Sequence, residues 1–270
     1  MEQIIKKLTL IFLSIVISSN LWSYEVKISM GYDSAMIYPY LLHKDGKIDE
    51  NKPGVTFEVM KLVAKKLNFK IDFVGLPWKR ALRTLKDNDI DALFQASFRK
   101  ERMDFGQYPM KNGVVDSSKH IMKWTYSFYR LKNTSLQWDG TLLSWKGKKL
   151  TEDKKIGSMN GYSVGNDLLK EGITVQLTNS MSSLLQMLRK ERLYGVISLE
   201  EYIDVAIKIN PKEFLNIEKV NPAFKRKEYY LMLSHQFVKK YPDLSKKIWK
   251  EIQNIRLSGE YDRILEKYSK

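Results

Sequence analysis

Residues able to bind an anion follow a predicted buried strand in the first half of the chain. The strand, residues 90–96, is apolar, and Ser97, Arg99 and Arg102 follow it directly. Ligands of open α/β sheets bind beyond the carboxyl ends of the strands, so this turn lies where a ligand is expected. A guanidinium can donate two hydrogen bonds to one carboxylate or phosphate. We therefore expect Arg102 to anchor an anion; a solvated surface arginine is the alternative.

A second candidate group is the segment Gly161-Tyr162-Ser163-Val164-Gly165, which begins a predicted helix. Backbone N–H groups at a helix N-terminus favour an anion, so Ser163 is a candidate ligand residue. The segment also matches the Gly-x-Ser-x-Gly pattern of serine hydrolases, and it lies between a strand and a helix as that pattern requires. Asp204 and His235 follow in the order of a Ser-Asp-His triad. An exported serine hydrolase is therefore one alternative function.

The composition indicates a globular chain with a strong positive charge. Of the 270 residues 43% are hydrophobic, which excludes a disordered chain, and the formal net charge is +15. This charge predicts attraction to anionic ligands, while the lack of a zinc-finger spacing or a basic arm argues against nucleic acid as a partner. Without cysteine there are no disulfides or thiolate ligands, and the three histidines lie far apart, so no metal or other cofactor is expected.

The N-terminus has the pattern of a secretory signal peptide. Lys6 and Lys7 precede an apolar stretch over residues 8–17, and small or polar residues follow as far as Ser23. The apolar stretch is shorter than the roughly 20 residues that a membrane span requires. We expect residues 1–23 to be a signal peptide and the mature protein to be soluble in the periplasm. A retained amphiphilic anchor is the alternative.

Apolar periodicity predicts two β-α-β-α-β units, which favours a mostly parallel sheet in each. The first unit has strands at residues 25–30, 69–74 and 90–96 and helices at 57–67 and 78–86. The second has strands at residues 155–159, 173–177 and 194–199 and helices at 163–171 and 181–190. A last helix over residues 244–257 would complete the first unit.

The two units also repeat each other in sequence. Residues 82–94 align in register with residues 185–197, and apolar residues match at equivalent places, such as Leu85 with Leu188. Two similar lobes explain this repeat. Extended runs over residues 121–131 and 228–233 would let the chain cross into the second lobe and return.

Short segments spread over essentially the whole mature chain occur in a characteristic order. They are Pro53-Gly54-Val55-Thr56-Phe57-Glu58, Asp89-Ile90-Asp91-Ala92, Arg99-Lys100-Glu101-Arg102, Trp145-Lys-Gly-Lys-Lys, Gly161-Tyr162-Ser163 and Gly259-Glu260-Tyr261. Together they resemble the bacterial extracellular solute-binding proteins of the polar amino acid type, family 3. The resemblance implies the type II periplasmic-binding-protein fold: two α/β lobes with mostly parallel sheets, joined by two crossing strands and closing on a ligand by hinge motion.

The same resemblance implies roles for particular residues. Arg102 matches the arginine that grips the ligand's carboxylate in the family, and Ser97 lies in the same turn. Ser163 matches the hydroxyl residue at a helix N-terminus of the second lobe. Residues at positions where an aromatic wall would face the ligand, or would alternatively belong to the core, are Tyr32, Tyr38 and Trp78.

One position departs from the family pattern. Where amino-acid binders have an aspartate that holds the ligand's ammonium, this chain has Leu199, and Glu200 replaces that aspartate only if the register slips by one residue. A buried ammonium without a partner is costly. The departure favours an anionic or otherwise atypical ligand.

We therefore expect a monomeric periplasmic solute-binding protein that takes a small polar, carboxylate-bearing ligand, an amino acid or a related anion, for ABC-type uptake through a membrane permease. Lobe I would comprise residues 24–126 and 225–270, and lobe II residues 127–224. One alternative is a dehydratase on the same fold, which needs a buried carboxylate with a raised pKa; Glu58 and Glu200 are the candidates. Another is a ligand-sensing protein with no role in transport.

Overall fold

The computed structural model describes residues 26–35, 37–44 and 47–268, so the expected signal peptide lies outside the described residues. The strands are β1 (Lys27–Asp33), β2 (His43–Lys44), β3 (Lys47–Ile48), β4 (Lys70–Leu76), β5 (Ala92–Ser97), β6 (Met110–Lys111), β7 (Val114–Val115), β8 (Met122–Leu131), β9 (Leu136–Trp138), β10 (Leu143–Trp145), β11 (Lys148–Lys149), β12 (Ile156–Met159), β13 (Val175–Thr178), β14 (Gly195–Leu199) and β15 (Ile217–Leu233). The helices are α1 (Val55–Leu67), α2 (Trp78–Lys86), α3 (Ser163–Lys170), α4 (Met181–Arg189), α5 (Glu200–Ile209), α6 (Pro211–Phe214), α7 (His235–Lys240), α8 (Pro242–Leu257) and α9 (Glu260–Glu266).

One eight-stranded sheet runs through the molecule in the order β13-β12-β14-β8-β15-β5-β1-β4. Strands β4, β1 and β5 are parallel at one end, and β13, β12 and β14 are parallel at the other. Between these groups, β8 and β15 pair antiparallel with each other and with the inner strand of each group. The predicted two-lobed α/β architecture is thus confirmed, with β8 and β15 as the two crossing strands.

The second crossing strand is longer than the sequence pattern suggested. β15 begins at Ile217, eleven residues before the predicted start, and its pairing with β8 shifts register between Val220 and Lys225. Pro222 lies within this irregular stretch and has no N–H to give to a ladder. Because charged residues follow directly, an apolar pattern appears only over the last part of the strand.

The core of the first lobe explains the Pro-Gly pair before α1. Helix α1 buries Phe57, Met60 and Val63, and its face packs against α8. Gly54 precedes the helix with a φ of 105°, and a Cβ there would lie 2.5 Å from the carbonyl oxygen of Tyr40. Only glycine combines this φ with such a close approach, so the turn is set by its sequence.

The predicted repeat corresponds to equivalent structural units. α2 leads into β5, and α4 leads into β14. β5 and β14 each pair parallel with a strand of their own lobe and antiparallel with a crossing strand. Leu85 and Leu188 are both fully buried at matching places. The small sheet of β9, β10 and β11 was not predicted. Within the described residues, no helix is long and apolar enough to cross a membrane.

Candidate ligand-binding site between the two lobes

Arg102 lies beyond the end of β5, on the first-lobe side of a buried cavity. A short 3₁₀ helix (Lys100–Asp104) carries it, and the residue is only 5% exposed. Its Nη1 donates to the Ser97 carbonyl at 2.9 Å and to Ser97 Oγ at 3.0 Å, and Nη2 donates to the Gly161 carbonyl at 2.9 Å. The guanidinium lies 5.3 Å from the Trp78 ring. Since no carboxylate of the described residues pairs with Arg102, its charge is available to an anion.

The wall of the cavity opposite Arg102 is formed by residues of the second lobe at the start of α3. The Gly161 carbonyl accepts hydrogen bonds from Arg102 and, at 3.2 Å, from Trp78 Nε1. Gly161 has a φ of 80°, and a Cβ there would lie 3.2 Å from the Trp78 ring. The first glycine of the Gly-x-Ser-x-Gly pattern is therefore explained by backbone conformation and by close contact between the lobes.

Ser163, the first residue of α3, is the centre of a polar network. Its Oγ accepts from Ser97 Oγ at 3.0 Å and from Lys227 Nζ at 2.9 Å. Lys227 also forms an ion pair with Asp167, one turn further along α3. Arg99 Nη1 donates to the Ser163 carbonyl at 2.9 Å. Burial lowers the pKa of Lys227, although the hydrogen bond to Asp167 opposes this shift.

Asp33 brings a carboxylate to the same cavity. It ends β1, is 6% exposed, and accepts a hydrogen bond from Tyr162 Oη across the lobes at 3.0 Å. Burial raises the pKa of Asp33 to about 6, against the opposing effect of hydrogen bonds from Ala35 and Tyr162. No lysine or arginine in the described part of the chain forms an ion pair with it. A cation is therefore the partner that this carboxylate lacks.

Two further polar atoms of the cavity wall, Gln95 Oε1 and Trp124 Nε1, are buried without a hydrogen-bond partner among the described residues. Gln95 has a φ of 63° at a β-bulge in β5, and its Nε2 donates to Thr56 Oγ1 at 2.7 Å. Backbone strain at a non-glycine residue is typical of functional sites. The wall thus offers one acceptor and one donor to a polar ligand.

The cavity between the lobes has a volume of about 20 Å³. It is lined by Asp33, Ile37, Trp78, Gln95, Ser97, Arg102, Trp124, Tyr126, Tyr162, Ser163, Leu199 and Tyr229. This space suits about one water molecule. A wider cleft of about 710 Å³ shares Asp33 and Trp78 with it. A solute of amino-acid size is larger than this inner cavity.

Four of the residues predicted for the site come together here: Arg102, Ser97, Ser163 and Trp78 all line the cavity. Leu199 lines it too and is 1% exposed, so the wall is apolar at the position of the family's aspartate.

The other three predicted residues lie away from the cavity, for three different reasons. Tyr32 belongs to the core, where its ring stacks on Phe94. Tyr38 is 39% exposed, and its hydroxyl donates to the Tyr268 carbonyl. Glu200 accepts a hydrogen bond from Ser127 Oγ and pairs with Lys219 instead of facing the cavity.

Sequence reasoning did not identify Asp33, although a signal for it existed. β1 is parallel to β5, so the carboxyl ends of both strands lie at the same edge of the sheet. A polar residue ending β1 was therefore a candidate on the same grounds as Ser97. Gln95 and Trp124, by contrast, point into the cavity from within strands, and no sequence pattern reports that direction.

The residues of the alternative enzymes are not assembled as those functions require. Ser163 Oγ bonds to Ser97 and Lys227, Asp204 accepts from Tyr129 Oη, and His235 Nε2 lies 3.0 Å from the Met103 carbonyl. The proposed Ser-Asp-His triad is therefore wrong.

The two carboxylate candidates for a dehydratase, Glu58 and Glu200, do not line the cavity. Glu58 accepts from Lys267 and Tyr268, away from the cavity, and Glu200 has the partners already described. Among the described residues, no group of three or more His, Asp or Glu side chains is placed to hold a metal ion.

Comparisons with known proteins find a family and a relative that this chain resembles. The model of the bacterial extracellular solute-binding proteins, family 3, matches residues 28–270. A probable histidine-binding protein from Neisseria gonorrhoeae is 23% identical over 223 residues, which are 81% of this chain and 75% of that protein.

Solved structures confirm the predicted type II periplasmic-binding-protein fold. An ancestral arginine-binding protein bound to arginine has a TM-score of 0.68 at 22% identity, covering 90% of this chain and 97% of that one. A histidine kinase sensor domain with similarity to periplasmic binding proteins has a TM-score of 0.67 at 15% identity, covering 91% and 97%. At such low identity these structures establish the fold alone.

Proposed function

Because the chain belongs to the bacterial extracellular solute-binding proteins, family 3, we propose that it captures a free amino acid or a closely related carboxylate-bearing solute between its two lobes. One observation carries this proposal: Arg102 and Asp33, buried and opposite in charge, line the same cavity. A zwitterion offers a carboxylate to the first and an ammonium to the second. A plain anion would leave Asp33 without a cation.

The carboxylate-binding half consists of Arg102, Ser163 and the N-terminus of α3. Arg102 is now held by uncharged oxygen atoms, which a carboxylate can replace with charge-assisted hydrogen bonds. The backbone N–H groups at the start of α3 favour negative charge at the same wall. Both lobes thus contribute to one anion, and closing them brings the two contributions together.

In the cation-binding half, Asp33 and Gln95 take the place of the aspartate that the chain lacks at Leu199. Asp33 supplies a carboxylate, and Gln95 Oε1 supplies a neutral acceptor that is otherwise unpaired. An ammonium beside Asp33 would offset the burial that raises its pKa. The similarity to a probable histidine-binding protein favours amino acids whose side chains can also carry positive charge.

Capture for uptake is the physiological role that the family suggests, with residues 1–23 directing export to the periplasm and an ABC permease receiving the loaded protein. The likeness to a histidine kinase sensor domain keeps signalling as an alternative use of the same binding event. In either role lobe I would comprise residues 24–126 and 225–270, lobe II would comprise residues 127–224, and the protein would act as a monomer.

Isothermal titration of the mature protein with L-arginine, L-histidine, L-glutamine and L-glutamate tests this function. We expect at least one of them to bind, and we expect Arg102→Ala to weaken that binding by about a hundredfold or more, because a charge-assisted pair to a carboxylate is lost. Arg192→Ala, at an exposed position of the second lobe, is the matched control and should bind as the parent does.

Two results would contradict the proposal. Undiminished binding by a folded Arg102→Ala variant would show that the site is assigned wrongly. Failure of the parent protein to bind any of the four amino acids would exclude the proposed ligand class. The melting temperature of each variant, measured in parallel, separates loss of binding from loss of folding.

A dehydratase is the second candidate, and one observation favours it. Asp33 is a buried carboxyl group in the cavity with a pKa raised to about 6, the property that a general acid needs. Recovering each bound amino acid chemically unchanged after incubation with the protein would argue against this function.

A further inference from the structure

We propose that Lys227 is a positioning residue that fixes the Ser163 hydroxyl as a hydrogen-bond donor toward the ligand's carboxylate. This inference rests on the proposed function, since it concerns the carboxylate-binding half of the same cavity. Lys227 itself does not line that cavity; it borders a separate surface pocket.

The position of Lys227 is fixed by three contacts. It belongs to the crossing strand β15, and its side chain is only 12% exposed. Its Nζ donates to Ser163 Oγ at 2.9 Å, pairs with Asp167 on α3, and lies 5.6 Å from the centroid of the Tyr126 ring. An ammonium held in this way has little freedom to leave Ser163.

The hydrogen-bond capacity of Ser163 Oγ then determines its orientation. A hydroxyl has one proton to donate and two lone pairs to accept with. Lys227 can only donate, so it occupies one lone pair. Ser97 Oγ accepts from the Arg102 guanidinium and donates its own proton to Ser163 Oγ, so Ser97 occupies the second lone pair.

The proton of Ser163 is consequently the only part of the hydroxyl left for other partners. Since Ser163 lines the cavity, a ligand oxygen there can accept this proton. At Ser163 the wall therefore favours a carboxylate oxygen over an N–H group, because this hydroxyl has no lone pair left to accept from that N–H.

The experiment compares amino acids with their α-carboxamides, which replace one carboxylate oxygen by an NH₂ donor. The probes are L-arginine and L-histidine against L-argininamide and L-histidinamide, in isothermal titrations of the full mature protein. We expect Lys227→Met to weaken amino-acid binding about tenfold or more, as when a hydrogen bond to a charged group is lost. Binding of the carboxamides should change by less than about twofold, so that selectivity falls.

Matched variants separate positioning from bulk charge. Lys225→Met removes the same charge from the same strand at an exposed position and should leave the selectivity intact. Ser163→Ala should reproduce the effect of Lys227→Met, and the double variant should lose little more than either single variant, because both act through one hydroxyl. Lys227→Arg, which keeps a donor, should recover part of the selectivity. If Lys227→Met does not fold, Lys227→Leu, which also lacks a donor, takes its place.

Three outcomes would overturn the inference while leaving the proposed function standing: equal effects of Lys227→Met and Lys225→Met, fully additive losses in the double variant, or unchanged carboxylate selectivity in Lys227→Met. If the parent protein binds neither amino acid, or if Arg102→Ala binds normally, the proposed function fails first and this inference falls with it.

Discussion

Asp33 is the residue at which binding and stability oppose each other. Burial disfavours the charge of its carboxylate and raises its pKa from 3.8 to about 6 in the folded protein. The folded state therefore holds the proton more tightly over this interval, and the group's contribution becomes less favourable as pH rises through it. Roughly two pKa units correspond to about 3 kcal/mol of destabilisation at neutral pH. A cationic group of a ligand beside Asp33 would offset this destabilisation, so binding such a ligand would stabilise the folded protein.

We expect Asp33→Asn to raise the free energy of unfolding at pH 7.5 by up to about 3 kcal/mol and to raise it by less than about 1 kcal/mol near pH 4, where the folded carboxyl is protonated anyway. The same variant should bind L-arginine and L-histidine more weakly. Urea unfolding at the two pH values measures the first effect, and Asp243→Asn, whose side chain is 86% exposed, is the control. A destabilised Asp33→Asn protein at pH 7.5 would contradict this account.

At the scale of elements, the repeat in the sequence predicts a repeat in energetics. Leu85 on α2 and Leu188 on α4 are both fully buried against the parallel strands of their lobes. Leu85→Ala and Leu188→Ala should each lower the free energy of unfolding by about 2–5 kcal/mol, as expected when a buried leucine is truncated. Leu169→Ala, at a residue 49% exposed, should cost less than about 1 kcal/mol. Urea unfolding followed by circular dichroism measures the free energy of unfolding of all three variants. A large loss of stability at only one of the two buried leucines would mean that the two units share backbone geometry but not energetics.

The elements also explain what the sequence could and could not predict. Apolar periodicity predicted the observed bounds of α2, because apolar residues recur on the buried face of this helix and charged residues lie on its other face. It did not find the first half of β15, where Pro222 and successive charged residues interrupt the pattern. For the site, residues beyond a strand end or at a helix start were accessible to prediction, as with Arg102 and Ser163. Gln95 was not, since its direction depends on a β-bulge formed against β15.

The whole molecule must open and close if it is to work as proposed. Contacts across the cavity join the lobes: Arg102 and Trp78 donate to Gly161, Tyr162 donates to Asp33, and Ser97 donates to Ser163. A solute has to break several of these contacts on arrival and then replace them by its own hydrogen bonds. β8 and β15 are the strands through which the sheet continues from one lobe to the other, so we expect the hinge to lie in them.

Spin labels on either side of the wide cleft can measure this motion, because the sequence contains no cysteine to interfere. Arg80→Cys and Asn179→Cys place one label on each wall of the cleft. We expect a broad label-to-label distance distribution in buffer and a narrower, shorter one with saturating L-arginine or L-histidine, since a ligand that contacts both lobes favours the closed form. The pair Arg80→Cys and Lys61→Cys, both on helices of the first lobe, should not respond. An unchanged distribution across the cleft with bound amino acid would mean that capture proceeds without hinge closure.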